Sequence, residues 1–336
     1  MSLRTARLDP TLCVSVLAAT PLRYHAGPDA SLDRPGWVRA ASGLVWWRGA
    51  LAVVQDDTHI VARIDPATGL AEAVHLPAPD GVRQYGSDRG NKAAKLDHES
   101  CVVLPDGSLV ALGSGSTAAR RRVMRLDGPD ATPRVFEARA LYAALAAHTG
   151  FAGSELNLEG ACLRDDALWL FQRGNGAPRD ERLPQSATAT LPLAAFVDYL
   201  RRTEADPDAP FSLPLANVTA WDLGRLDGVP LSFTDAAVVP APGGALAAGA
   251  VAWIAAAEAS PNTYDDGVNA GVVLGYFDDT GEAHCVCIEG ADGGAETRKG
   301  EGLAFDPARP DRAWMVIDLD DPSRPAELLS LRLGRR

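Results

Sequence analysis

Four carboxylates recur at matching places in four short segments of this chain. Glu99 stands in Leu96-Asp-His-Glu-Ser-Cys-Val-Val-Leu104, and Glu159 in Asn157-Leu-Glu-Gly-Ala-Cys-Leu163. Asp235 stands in Ser232-Phe-Thr-Asp-Ala-Ala-Val238, and Glu301 in Lys299-Gly-Glu-Gly-Leu-Ala-Phe305. A weaker fifth copy, Ala41-Ser-Gly-Leu-Val-Trp-Trp47, has Ser42 at that place. Asp and Glu are 44 of 336 residues, so four acids among five aligned places exceeds what composition supplies.

Carboxylates gathered in a narrow space cannot all stay ionised without a counter-charge. A hard cation such as Ca²⁺ or Mg²⁺ is one remedy, with Glu99, Glu159, Asp235 and Glu301 as oxygen ligands. Retained protons are a second, and they raise pKa values into a range useful for acid–base work. Basic neighbours are a third, and Lys95, Arg173 and Lys299 are the candidates. In a catalytic reading Glu159 and Glu301 act as ligands or general base, and Arg173 holds substrate charge or a developing oxyanion. In a non-catalytic reading the same carboxylates are satisfied by backbone N–H groups, lysines and water.

The elements that must position these groups are short apolar or alternating runs between Gly, Pro, Asp and Asn, which read as strands and turns. Each copy has one grammar: small or acidic residue, apolar strand, turn, second apolar strand. Asp106-Gly107 reads as a tight hairpin between two such strands. The anchors Ser42, Glu99, Glu159, Asp235 and Glu301 are spaced by 57, 60, 76 and 66 residues. Such periods predict an all-β propeller of five four-stranded blades in one domain over residues 1–336. The widest spacing leaves room for a sixth blade. Ala- and Leu-rich 139–148, and 193–202 with Phe196, Tyr199 and Leu200 at helical spacing, read as short helical insertions.

After Glu301 only three strand candidates remain, so the run Leu12–Ala18 is expected to supply the missing outer strand and close the ring. That use explains the run better than a secretion signal, which Asp9 and Pro10 interrupt. In a propeller the inner strands line a central channel, and the hairpin returns each second strand to the same rim. Ser114, Asn175, Glu258 and Asp318, at the ends of second strands, are therefore expected to face a ligand beside the anchors, together with the counter-charges Lys95 and Lys299.

Other features are weaker. His98 alternates away from the channel. Gly113-Ser-Gly-Ser116 lacks the P-loop pattern, and no Gly-x-Ser-x-Gly elbow occurs. Asp265-Asp266, Asp278-Asp279 and Asp320-Asp321 read as turn residues. Five cysteines without a CxxC point to reduced thiols in a cytoplasmic protein rather than a zinc site. A net charge of −12 argues against nucleic acid or an anionic membrane as partner and favours a small molecule.

Asn157-Leu-Glu-Gly-Ala and Lys299-Gly-Glu-Gly-Leu-Ala-Phe resemble the repeated Glu-Gly-Leu/Ala inner-strand motif of the bacterial phytase-like esterase and SdiA-regulated propellers. Ala167-Leu-Trp-Leu-Phe-Gln-Arg-Gly-Asn175 is similar to the second strand of that group. The resemblance implies a propeller with a central Ca²⁺ and an esterase or phosphatase-like activity. Two readings follow: a metal-dependent hydrolase of a small ester, lactone or phosphoester, or a non-catalytic binding propeller. A glycosidase with two carboxylates is a third, but it wants aromatic platforms, and aromatics are only 6% of the chain.

Overall fold

The computed structural model describes residues 3–212, 215–259 and 267–336. Asp265-Asp266 lie outside the described residues. Among the described residues five sheets surround a channel as a five-bladed β-propeller, and a sixth is a two-stranded ribbon of Arg225–Leu226 and Val229–Pro230. Blade 1 runs outward through Ala41–Trp47, Ala50–Gln55, Ile60–Ile64 and Leu70–His75. Blade 2 uses His98–Val103, Leu109–Gly113, Arg122–Leu126 and Arg134–Glu137. Blade 3 uses Leu158–Arg164, Ala167–Gln172, Ser186–Pro192 and Ala216–Asp222. Blade 4 uses Ser232–Val238, Val251–Glu258, Asn269–Phe277 and Ala283–Cys287. Blade 5 uses Gly300–Phe305, Arg312–Ile317 and Glu327–Arg335, completed by the N-terminal strand Leu12–Pro21. The wide interval between Glu159 and Asp235 holds the helix Leu193–Ala205 and longer loops, not a sixth blade.

Local chemistry sets the turns. Trp47 pairs with Ala50 across Arg48-Gly49, whose φ values of 47° and 81° suit a two-residue hairpin. Asp106 Oδ1 accepts the Ser108 N–H at 2.9 Å, and Gly107 takes φ 83°. Apolar side chains on both blade faces meet those of the next blade, giving an apolar cluster at each of the five seams. The blade 2–3 seam also buries Phe196, Tyr199 and Leu200 of Leu193–Ala205. Each fully buried large side chain contributes about 1.5–3 kcal/mol.

Ring closure is antiparallel, from Arg335 opposite Leu12 to Glu327 opposite Pro21. The N-terminal segment does more than close the ring. Leu3–Thr5 adds a parallel edge strand to blade 3, Arg7–Leu8 to blade 4, and Arg23–Tyr24 to blade 1. Thus the first 24 residues belt the outer edges of four blades. Thr203 of Leu193–Ala205 donates to the Glu137 carbonyl on the outer strand of blade 2. These covers protect edges that would otherwise offer unpaired backbone groups. Among the described residues no helix is long and apolar enough to cross a membrane.

Candidate functional site

Every inner strand carries a β-bulge at the repeat's anchor or, in blade 4, one residue before it. Pairing passes from Leu158–Gln172 to Gly160–Phe171, leaving Glu159 unpaired. Glu301 is left out between Gly300 and Gly302, and Glu99 between His98 and Ser100. In blade 1 Ser42 and Gly43 together oppose one residue. A bulge turns the unpaired side chain out of the ladder, here into the channel. The glycine after Glu301, and the one after Ser42 in blade 1, have a steric cause. A Cβ on Gly302 would lie 2.2 Å from Ser42 O, and one on Gly43 2.8 Å from Ser100 Cα.

Blade 4 corrects the expected ring. Its pairing passes from Phe233–Ala255 to Asp235–Ile254, so Thr234 is the bulged residue and Asp235 takes the glycine position. A slip of one residue reverses a strand's faces, and Asp235 does not line the cavity above the ring. Its Oδ2 accepts the Leu303 N–H at 2.9 Å, and the N–H groups of Ala236 and Leu44 also reach it. Asp235 therefore links blade 4 to blades 5 and 1 across the channel. Burial pushes its pKa well above the usual carboxylate range. Thr234 donates to Gly300 O at 2.6 Å.

The channel opens at one end into a cavity of about 360 Å³. Ser42, Glu99, Glu159 and Glu301 line it, as do Lys95, Arg173, Asn175, Glu258, Lys299 and Asp318. Ser114 stands behind the wall, where it donates to Asp97 and meets Ser116 Oγ at 2.9 Å. Asp97 and Asn157, two residues before Glu99 and Glu159, also line the cavity. The i, i+2 spacing puts them on the same face as the glutamates; Lys299 precedes Glu301 in the same way. Asp56, Asp57 and Arg39 complete the blade 1 side, and Tyr85 to Asp88 enter from the blade 1–2 connection. That connection is anchored by Asp33, whose Oδ2 accepts the Arg83 and Gln84 N–H groups at 2.8 and 3.0 Å.

Charge pairing in the wall is extensive. Lys95 Nζ lies 2.5 Å from Asp56 Oδ2 and 2.7 Å from Asp97 Oδ1. Arg120 reaches Asp97 Oδ2 at 3.1 Å. Arg173 bonds Glu258 and lies 3.3 Å from Glu159 Oε1; Lys299 lies 2.8 Å from Glu301 and 3.4 Å from Glu258. Arg39 lies 2.6 Å from Asp57. Even so, eleven carboxyl side chains and six basic ones line the cavity; exposed ones such as Asp88 and Asp320 are met by water, and burial favours protons or a ligand on the others.

The pKa directions show where protons stay. Burial, then Glu159, Asp97 and Asp56, push Glu99 well above the usual range. Burial raises Glu159 to about 8 although Arg173 opposes it. Burial and Asp56 raise Asp57 to about 7. Asp97 goes the other way: burial disfavours its charge, but Lys95 and Arg120 outweigh that and hold its pKa below the ordinary value. Glu99 and Glu159 share a further property. Ser42 Oγ donates to Glu99 Oε2 at 2.7 Å, and Asn157 Nδ2 donates to Glu159 Oε1 at 2.7 Å. Each glutamate is thus pinned by one oxygen, and no hydrogen bond from a described residue reaches Glu99 Oε1 or Glu159 Oε2.

A metal finds a partial fit. Oxygens of Asp56, Asp97 and Glu99 lie within 4.8 Å of one another, a donor set suited to a hard cation. The Lys95 ammonium already sits against two of the three. Elsewhere, His98 and His59 are buried in and beside the blade 1–2 seam, and burial lowers their pKa values to about 3 and about 4.

Solved structures similar to this one are distant in sequence. The glutaminyl cyclase of Myxococcus xanthus is 12% identical, with a TM-score of 0.47, over 98% of this chain and 100% of that one. The PQQ-bound aldose sugar dehydrogenase of Streptomyces coelicolor is 12% identical, with a TM-score of 0.42, over 97% and 100%. An α-L-arabinofuranosidase of Podospora anserina in complex with cellotriose is 11% identical, with a TM-score of 0.47, over 97% and 98%. No curated protein sequence matches. Residues 37–333 match the model of a family of unknown function, DUF6929, and the chain belongs to that family.

Proposed function

We propose that the cavity is the active site of a hydrolase that cleaves a small, uncharged ester or lactone by acid–base chemistry. The observation that carries the reading is the pair Glu99 and Glu159. They come from adjacent blades, both keep protons above the usual pH range, and each leaves one oxygen open to the cavity. Carboxyls set apart by their surroundings divide acid and base roles between them. With a pKa of about 8, Glu159 is suited as general base: its Oε2 takes a proton from water as that water attacks the substrate carbonyl. Glu99 donates its proton to the departing alkoxide oxygen as the C–O bond breaks. Asn157 and Arg173 fix the Glu159 carboxylate, so Arg173 serves as a charge compensator rather than as a grip on substrate.

The acid excess disfavours a phosphoester or a polyanion such as nucleic acid, since the wall cations are tied to carboxylates. Ca²⁺ or Mg²⁺ at Asp56, Asp97 and Glu99 requires Lys95 to withdraw, so the reading places the chemistry on the carboxyls. The test is a panel of esters, lactones and phosphoesters, with wild type, Glu99→Gln and Glu159→Gln, each with and without a chelator. Hydrolysis of uncharged esters or lactones that survives the chelator and falls in both variants is expected. Phosphoester preference, or activity unchanged in Glu159→Gln, sinks the proposal. The salt-bridged lysines favour a second reading, a non-catalytic binding module, and saturable binding of an ester without turnover would establish it.

A further inference from the structure

A second cavity of about 460 Å³ lies on the outer part of the seam between blades 3 and 4. Its floor is aromatic. Phe277 lies 5.0 Å from Trp221 and 6.0 Å from Trp169, ring centre to ring centre. Trp221 is locked in place, because its Nε1 donates to Thr188 Oγ1 at 2.9 Å. Trp169 is half-buried and lines the cavity. One side is closed by the N-terminal belt, where Arg4 lies over the Trp221 ring and donates to Gly281 O at 2.8 Å.

The polar groups on the rim are neutral and charged in equal number, and Asn217, Thr219 and Thr280 stand beside the rings. The formal charges balance, with Arg4 and Arg164 against Asp278 and Asp279. Asp278 is committed to its own turn, where Oδ1 accepts from Thr280 and Glu282. Trp221 and Phe277 are themselves buried, so Trp169, backed by Phe277, offers the open ring. An aromatic face beside polar groups of balanced charge selects an uncharged molecule with an apolar face and a hydroxylated rim. The central cavity has no comparable platform, since Tyr85 is its one aromatic lining residue among those described. The geometry points to a binding site for a neutral saccharide here, distinct from the channel.

Isothermal titration with glucose, maltose and cellobiose, and with glucuronate and indole as controls, tests this. Saturable binding of at least one neutral saccharide, and of neither control, is expected. Trp169→Ala should weaken it by about tenfold or more. Thr219→Arg, which fills the cavity from an accessible strand without touching the platform, should do the same and serves if Trp169→Ala does not fold. Glu159→Gln should leave it unchanged. No saccharide binding, binding of indole instead, or a loss in Glu159→Gln that Thr219→Arg does not share, overturns the assignment.

Discussion

Lys95 holds its ammonium 2.7 Å from Asp97 and 2.5 Å from Asp56, inside a three-carboxylate group that would otherwise suit a divalent ion. Lysine and metal are thus alternatives for one place. Lys95→Met removes one of two cations from buried Asp97 and the lysine partner of half-buried Asp56. It should destabilise by less than a wholly unpaired buried charge does, about 3–5 kcal/mol. Millimolar Ca²⁺ or Mg²⁺ should restore much of that loss in the variant and change wild type little. Thermal midpoints with and without each ion decide it; a variant indifferent to both ions would show that the three oxygens do not act as a cation site.

Glu159→Gln and Glu99→Gln should each lower kcat/KM by about 10²–10⁴, the range of a lost acid or base. Stability should change little, because Gln is close in shape to the protonated carboxyl. The wild-type rate should rise with pH up to about 8 as Glu159 ionises. That limb should vanish in Glu159→Gln, and a profile that keeps it assigns the base to another group.

Asp235 gives the opposite signature. Asp235→Ala leaves the Leu303 and Leu44 N–H groups without their acceptor, at a cost of about 1–3 kcal/mol for each buried group. Denaturant unfolding should show the loss, while the position of the pH–rate limb stays fixed. A shifted limb would place Asp235 in the chemistry after all.

Stability should peak in mildly acidic solution. His98 has its pKa lowered from 6.5 to about 3 by burial, so its contribution is complete above 6.5 and is lost as pH falls towards 3. Glu159 is raised from 4.5 to about 8, so its contribution is complete below 4.5 and is lost as pH rises through 8. The two overlap best between pH 4.5 and 6.5. His98→Gln should flatten the acid side of a plot of unfolding free energy against pH and leave the alkaline side alone.

The repeat in the sequence specified the blades because each hairpin carries its own turn chemistry and apolar period. Three strand candidates after Glu301 and the run Leu12–Ala18 were enough to foresee how the ring closes. The site was legible where glycine follows the acid, as at Glu159-Gly160 and Glu301-Gly302, since that glycine marks the bulge. It was not legible in blade 4, where Thr234-Asp235 offers two polar residues and no glycine to fix the register. Asp97 and Asn157 were within reach through their i, i+2 relation to the glutamates. The pairing of Lys95 with Asp56 joins residues 39 apart through a loop, and no local pattern announces it.

Arg335 and Asp9, 326 residues apart, meet at the closing strand. During synthesis the segment Leu12–Pro21 leaves the ribosome before the four other blades, and its partner Glu327–Arg335 leaves after all of them. While the four other blades are made, a ten-residue strand rich in Val, Leu and Ala has no native mate. The long separation adds little to the equilibrium cost of closing the loop, but it makes that closure a late step and leaves the nascent strand open to the wrong partner. Loss of Glu327–Arg335 would therefore unfasten a strand made four blades earlier as well.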